Sequence, residues 1–184
     1  MEKKLKVSKG FFLIAALLIY LDGQGLVLWY LCAMLVHEFG HLAVIYCLGS
    51  GVHFVRLTAL GAEIKLDMSR PLSYGRECIA ILAGPLASIT AAWICAQCNW
   101  YLLTGANLSF GIINLFPIGC LDGGRILTCV LSMKWPNKAD AVGHWISTVF
   151  SGILLGLGWT AWRRWGNLTL LLASVWLAAV AVKN

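Results

Sequence analysis

Apolar runs long enough to cross a lipid bilayer recur along this sequence, and that pattern constrains the fold more than any single residue does. The run from Leu26 to Leu48 holds one formally charged residue, Glu38, and the run from Cys78 to Cys98 holds none. A bilayer core about 30 Å thick is crossed by about 20 helical residues rising 1.5 Å each. A water-soluble globule covers its surface with roughly 25% charged residues. Here only 12% are charged and 60% are hydrophobic, with a mean hydropathy of +0.80. Most of the exterior must therefore face lipid, which excludes a soluble domain. The formal charge of +6 suits an anionic bilayer surface. No basic stripe with interleaved aromatics points to a nucleic-acid partner.

Further runs complete the layout. Lys3, Lys4, Lys6 and Lys9 precede an apolar segment from Gly10 to Leu21, which resembles the basic and apolar regions of a signal peptide. No small-x-small cleavage site follows, and Asp22-Gly23-Gln24-Gly25 reads as a turn. The segment is therefore read as a retained, short first span that needs tilt or local thinning. Tyr101 to Met133 is long enough to cross, with a helix break expected at Pro117 and Gly119. Trp145 to Trp162 and Leu168 to Val182 form a closing pair joined at Arg163-Arg164. The expected fold is an all-α polytopic membrane protein of about six transmembrane helices. It forms a single domain over residues 1–184, with a core at about 26–133 and a closing pair at about 145–182. With the N-terminus in the cytoplasm, twelve of the fourteen Lys and Arg residues fall inside, as the positive-inside rule requires.

The loop from Gly49 to Glu77 differs in kind. Ala62, Ile64, Leu66 and Met68 alternate with Glu63, Lys65 and Asp67, a strand period. Val52 to Leu60 is also strand-like, and Gly61 sits where a hairpin would turn. One amphipathic cytoplasmic β-hairpin is expected, able to pair with an extended segment by strand addition. The seven cysteines lie almost entirely in apolar runs and read as small apolar filler, the Cys95-x-x-Cys98 pair included.

His37 and His41, four residues apart on a helix, project from one face. That spacing can set two imidazoles on one tetrahedral Zn²⁺, and Glu38 beside them reaches the position of a bound water. Ionisable residues inside a span cost about 2.5–3.5 kcal/mol each on insertion scales and mark function by default. A catalytic zinc needs a third protein ligand and an open position. Asp22, Asp67, Glu77 and Asp140 lie in loops or at ends, and Asp122 alone lies within a later span. Both His37 and Asp122 stand eleven residues before the cytoplasmic ends of their runs, Leu48 and Met133, so the ligands lie at similar depth. Irregular backbone around Pro117 is tolerated at that depth where it lines a watery cavity. Arg125 could orient Asp122 or reach to the surface.

His37-Glu38-Phe39-Gly40-His41, followed by Asn114-Leu115-Phe116-Pro117 and Leu121-Asp122-Gly123-Gly124, resembles the site-2 protease family of intramembrane zinc metalloproteases. It is most similar to the stage IV sporulation protease branch. The resemblance implies one zinc per chain held by His37, His41 and Asp122. Glu38 would act as the catalytic base, and Asn114 would contact the substrate backbone or the developing oxyanion. It also implies a multi-pass protein of a bacterial cell membrane, with the N-terminus and active-site mouth on the cytoplasmic side. The expected partners are the bilayer, a membrane-associated or single-span regulatory protein as substrate (a pro-sigma or anti-sigma factor), and a regulatory membrane protein. One departure stands out: many relatives carry Gly-Pro-x-x-Asn, whereas Gly84-Pro85 is followed by Ser88. Two alternatives are a catalytically silent scaffold of the same fold and a zinc transporter. The first has no need of Glu38, and the second would want polar residues along a whole path.

Overall fold

A computed structural model describes residues 5–58, 61–66, 72–166 and 168–183. The chain forms two compact units, Met1–Ile112 and Ile113–Asn184.

In the first unit, β1 (Leu5–Val7) leads into α1 (Lys9–Leu21), α2 (Leu26–Cys47), β2 (Val52–Thr58), β3 (Gly61–Leu66), α3 (Tyr74–Gln97) and α4 (Tyr101–Asn114), whose last turn passes into the second unit. The turn between α1 and α2 forms as expected. The Asp22 carboxylate accepts the Val27 N–H at 2.6 Å and the Gln24 N–H at 3.2 Å, which satisfies donors that the first turn of α2 leaves open. Gly25 supplies the left-handed φ of +69° that the turn requires.

The hairpin is present: β2 and β3 pair antiparallel, Val55 opposite Ile64 and Thr58 opposite Gly61. Gly61 thus opens β3 rather than forming the turn, and the alternation expected as far as Met68 runs past the described residues. The sheet has a third strand that the sequence reading missed. β1 pairs parallel with β2, Leu5 opposite Val55, giving the order β1-β2-β3. The sheet is anchored where α2 ends and α3 begins, as Val52 packs with Ile45 and Ala80 in a small core flanked by Leu48 and Leu72.

Helices α2 and α3 approach closely because Gly40 has no side chain. A Cβ there would stand 2.6 Å from the Ala87 Cβ and 2.7 Å from the Ala83 carbonyl oxygen. Helix α4 joins them through Gly111, whose Cβ would meet Ser88 at 3.1 Å and the Pro85 carbonyl at 3.2 Å. Leu13, Phe39 and Trp93 point outward and stay exposed, the apolar exterior that the composition demands.

In the second unit, a loop over residues 115–121 leads to α5 (Asp122–Lys134), α6 (Ala139–Trp165) and α7 (Leu168–Lys183). The long run from Tyr101 to Met133 is therefore interrupted, as Pro117 predicted, and neither half is long enough to cross alone. Helix α6 begins before Trp145 and contains Arg163 and Arg164 in its last turn. The connection expected at those arginines falls instead at Gly166, with a φ of +67°. Basic residues in a final turn complement the helix dipole, so the helix ends later than the apolar run. Gly158 lets α7 close on α6: a Cβ there would stand 3.1 Å from the Leu171 Cα. Among the described residues three helices are long and apolar enough to cross a membrane: α2, α3 and α6.

Candidate metal centre

The centre begins in the first unit with helical spacing. His37 and His41 lie one turn apart on the buried face of α2, 2% and 6% exposed, and their rings meet edge to face at 4.8 Å. The two Nε2 atoms converge to 3.1 Å. Two nitrogens each about 2.05 Å from a tetrahedral ion stand about 3.3 Å apart, so the pair is spaced for one small cation between them.

The far side of each ring is held by α3. His41 Nδ1 lies 2.9 Å from the Ala80 carbonyl oxygen. A carbonyl can only accept, so Nδ1 carries the proton and Nε2 presents its lone pair. His37 Nδ1 lies 3.1 Å from the hydroxyl of Ser88, which is fully buried. Phe110 on α4 packs edge-on against the His37 ring at 5.0 Å. Gly84 faces the His41 imidazole so closely that any Cβ would overlap the ring. Glu38 is partly buried one residue beyond His37, while Phe39 is exposed.

In the second unit, Asn114 ends α4 and Asp122 begins α5, with the loop between them. The loop turns tightly: the Ile118 N–H donates to the Phe116 carbonyl and the Leu121 N–H to the Ile118 carbonyl, both at 2.8 Å. Ile118 is fully buried beneath it. Gly123 and Gly124 follow Asp122 in the first turn of α5. What a Cβ on either would meet is the loop's own backbone, at Leu115 and Phe116 for Gly123 and at Ile118 and Gly119 for Gly124. The Gly-Gly pair therefore exists so that the loop can fold back onto the first turn of α5.

That fold is pinned by Ser147 of α6, whose hydroxyl accepts the Gly119 N–H at 2.9 Å. Asp122 is buried at the N-terminus of α5, where the helix dipole favours a carboxylate. The Arg125 guanidinium stands 3.7 Å from its Oδ1 and remains half exposed, so it borders the carboxylate and reaches outward together.

Sequence reasoning gave no function to Ser88 or Ala80 and none to Ser147. Ser88 could have been suspected from its place in the Gly84-Pro85-x-x motif, but nothing in the sequence signals the Ala80 carbonyl or the Ser147 contact.

Residues 91–157 match Peptidase family M50, a stretch that includes Asn114 and Asp122 but neither His37 nor His41. Over 165 residues the chain is 33% identical to "Stage IV sporulation protein FB" of Bacillus subtilis, covering 83% of this chain and 56% of that protein. It is 29% identical over 185 residues to "Putative zinc metalloprotease Rip3" of Mycobacterium tuberculosis, covering 90% of this chain and 45% of that one. The chain thus spans about half the length of these curated relatives. Its fold matches the solved "Site-2 Protease from Methanocaldococcus jannaschii" with a TM-score of 0.73 at 23% identity, over 97% of this chain and 89% of that one. Residues 91–157 thus match peptidase family M50, the chain is similar to the stage IV sporulation branch, and its fold is that of a solved site-2 protease.

Proposed function

We propose that this protein is an intramembrane zinc endopeptidase, one protease domain that cuts a membrane-associated or single-span regulatory protein within or near the bilayer. The observation that carries the reading is the convergence of His37 and His41 Nε2 to 3.1 Å, with Glu38 beside them, on a helix apolar and long enough to cross a membrane. Two neutral imidazoles and one carboxylate are a donor set that suits zinc, and Asp122 is the third ligand in this assignment. Relatives named as zinc metalloproteases support it.

When bound, zinc supplies Lewis acidity, making a water more acidic and a peptide carbonyl more electrophilic. The chain's own residues do the rest. The Glu38 carboxylate removes a proton from the attacking water and returns it to the leaving amine as the C–N bond breaks. The Asn114 amide donates to the substrate backbone or to the oxygen on which charge develops. A helical substrate must present an extended stretch to be cut. The outer edge of β3 has no second partner among the described residues, so strand addition there would supply one.

Six crossings, a cytoplasmic N-terminus and a cytoplasmic sheet complete the proposal, supported by the charge asymmetry. A pro-sigma or anti-sigma factor is the substrate class we assign, on the similarity to the sporulation protein. The test is co-expression of tagged candidate regulators with wild type or Glu38→Gln, together with zinc analysis of the purified proteins. Cleavage by wild type alone, with about one zinc in both, is expected. Near-normal cleavage by Glu38→Gln would remove Glu38 from the mechanism, and absence of zinc from the wild type would remove the metalloprotease reading.

A further inference from the structure

We propose that Ser88 is a positioning residue of the metal centre, its hydroxyl accepting the His37 Nδ1–H and so fixing the ring orientation that turns Nε2 toward the metal. The inference rests on the metal site proposed above and adds a residue to it.

A ligating imidazole that binds through Nε2 keeps its proton on Nδ1, and that N–H needs an acceptor. The partner fixes ring rotation and raises the basicity of the ligating nitrogen. His41 has its acceptor in the Ala80 carbonyl at 2.9 Å, a backbone atom that any sequence would provide. His37 depends on a side chain, the Ser88 oxygen at 3.1 Å. Ser88 is fully buried, so water does not substitute for it. Space around it is tight, because a Cβ on Gly111 would approach the Ser88 Cβ within 3.1 Å. A hydroxyl fits this gap where a longer amide would have to displace α4. Ala80, Gly84 and Ser88 recur every four residues along α3, so one face of that helix carries both ring acceptors and the glycine against which His41 lies.

The experiment uses the full chain purified in detergent, stripped of metal and titrated with Zn²⁺ against a chromophoric chelator, with Co²⁺ as a visible-absorption probe. Ser88→Ala and Ser88→Cys should each lower Zn²⁺ affinity by about 10–100-fold and alter the Co²⁺ spectrum, the typical cost of losing such a partner. The cysteine keeps the volume but is a poor acceptor. Ser151→Ala, which removes a buried hydroxyl that donates to the Ser147 carbonyl within α6, should stay within about 2-fold of wild type. Wild-type affinity and spectrum in Ser88→Cys would make Ser88 mere filler and overturn the proposal.

A measurement on the unmutated protein guards against variants that do not fold. In zinc-loaded, ¹⁵N-histidine-labelled wild type, the His37 Nδ1 proton should be present and slow to exchange. A rapidly exchanging or absent Nδ1 proton would also overturn it. His37→Ala separates the two levels of inference. If it binds Zn²⁺ as tightly as wild type, the metal assignment fails; if it loses Zn²⁺ while Ser88→Ala and Ser88→Cys do not, only the positioning inference fails.

Discussion

Gly84→Ala is a one-carbon perturbation aimed at a ring that must not move. The new Cβ would overlap His41 Nε2 and Cε1 and stand 2.8 Å from Cδ2, whereas ordinary carbon contacts fall at about 3.5–4.0 Å. The ring must retreat by roughly 1 Å, and it has little freedom to do so. The Ala80 carbonyl holds Nδ1 at 2.9 Å, and the His37 ring lies against its other side. Overpacking of this kind typically costs about 1–3 kcal/mol of stability, less any helix-propensity gain of about 1 kcal/mol on replacing glycine. The folded state should therefore survive.

Metal binding should not survive as well, because ligand distances tolerate only about ±0.2 Å. We expect Zn²⁺ affinity to fall by two orders of magnitude or more, while the apparent melting temperature drops by a few degrees. Gly105→Ala is the control, since beyond its own stretch of helix backbone nothing lies within 4 Å of the added Cβ; it should bind Zn²⁺ normally and melt no lower than wild type. Chelator competition and thermal melts in the same detergent read both quantities. Wild-type Zn²⁺ affinity in a folded Gly84→Ala protein would refute the argument that Gly84 sets the His41 position.

Three further outcomes follow from other parts of the chain. Asp122→Ala should strip most of the zinc from the purified protein and Asp122→Asn less of it, measured by metal analysis; full occupancy in the alanine variant would require another ligand. Ser147→Ala removes the acceptor of the Gly119 N–H at a cost of about 1 kcal/mol, so hydrogen exchange over residues 115–121 should accelerate; unchanged exchange would mean that the loop holds itself. Backbone N–H donors, Val27 foremost, hold the Asp22 carboxyl below its ordinary value. Its contribution is thus present above about pH 4 and lost as the pH falls through the lower folded value. Asp22→Asn should melt below wild type at pH 7, with the gap closing near pH 3; a gap independent of pH would remove the carboxylate from the argument.

What the sequence determined by itself was local. Apolar runs of spanning length require lipid and helices because backbone polar groups have no other partners in hydrocarbon. The i, i+4 spacing of His37 and His41 puts two rings on one face in any helix, so their shared face was legible before any coordinate. Pro117 must interrupt a helix, and alternation over Ala62–Leu66 must give a strand. The tertiary structure decided everything that depends on residues far apart meeting. The pairing of Leu5–Val7 with β2 joins segments some fifty residues apart, and three residues are too short for their alternation to announce a strand. Gly123 and Gly124 yield to the backbone of their own loop, a contact that becomes visible only once the loop has turned. The acceptors that hold the two histidines, Ser88 and the Ala80 carbonyl, lie 51 and 39 residues away. A sequence can state which side chains are able to bind a metal. The direction in which each lone pair points depends on what packs behind the ring, and only the folded chain supplies that.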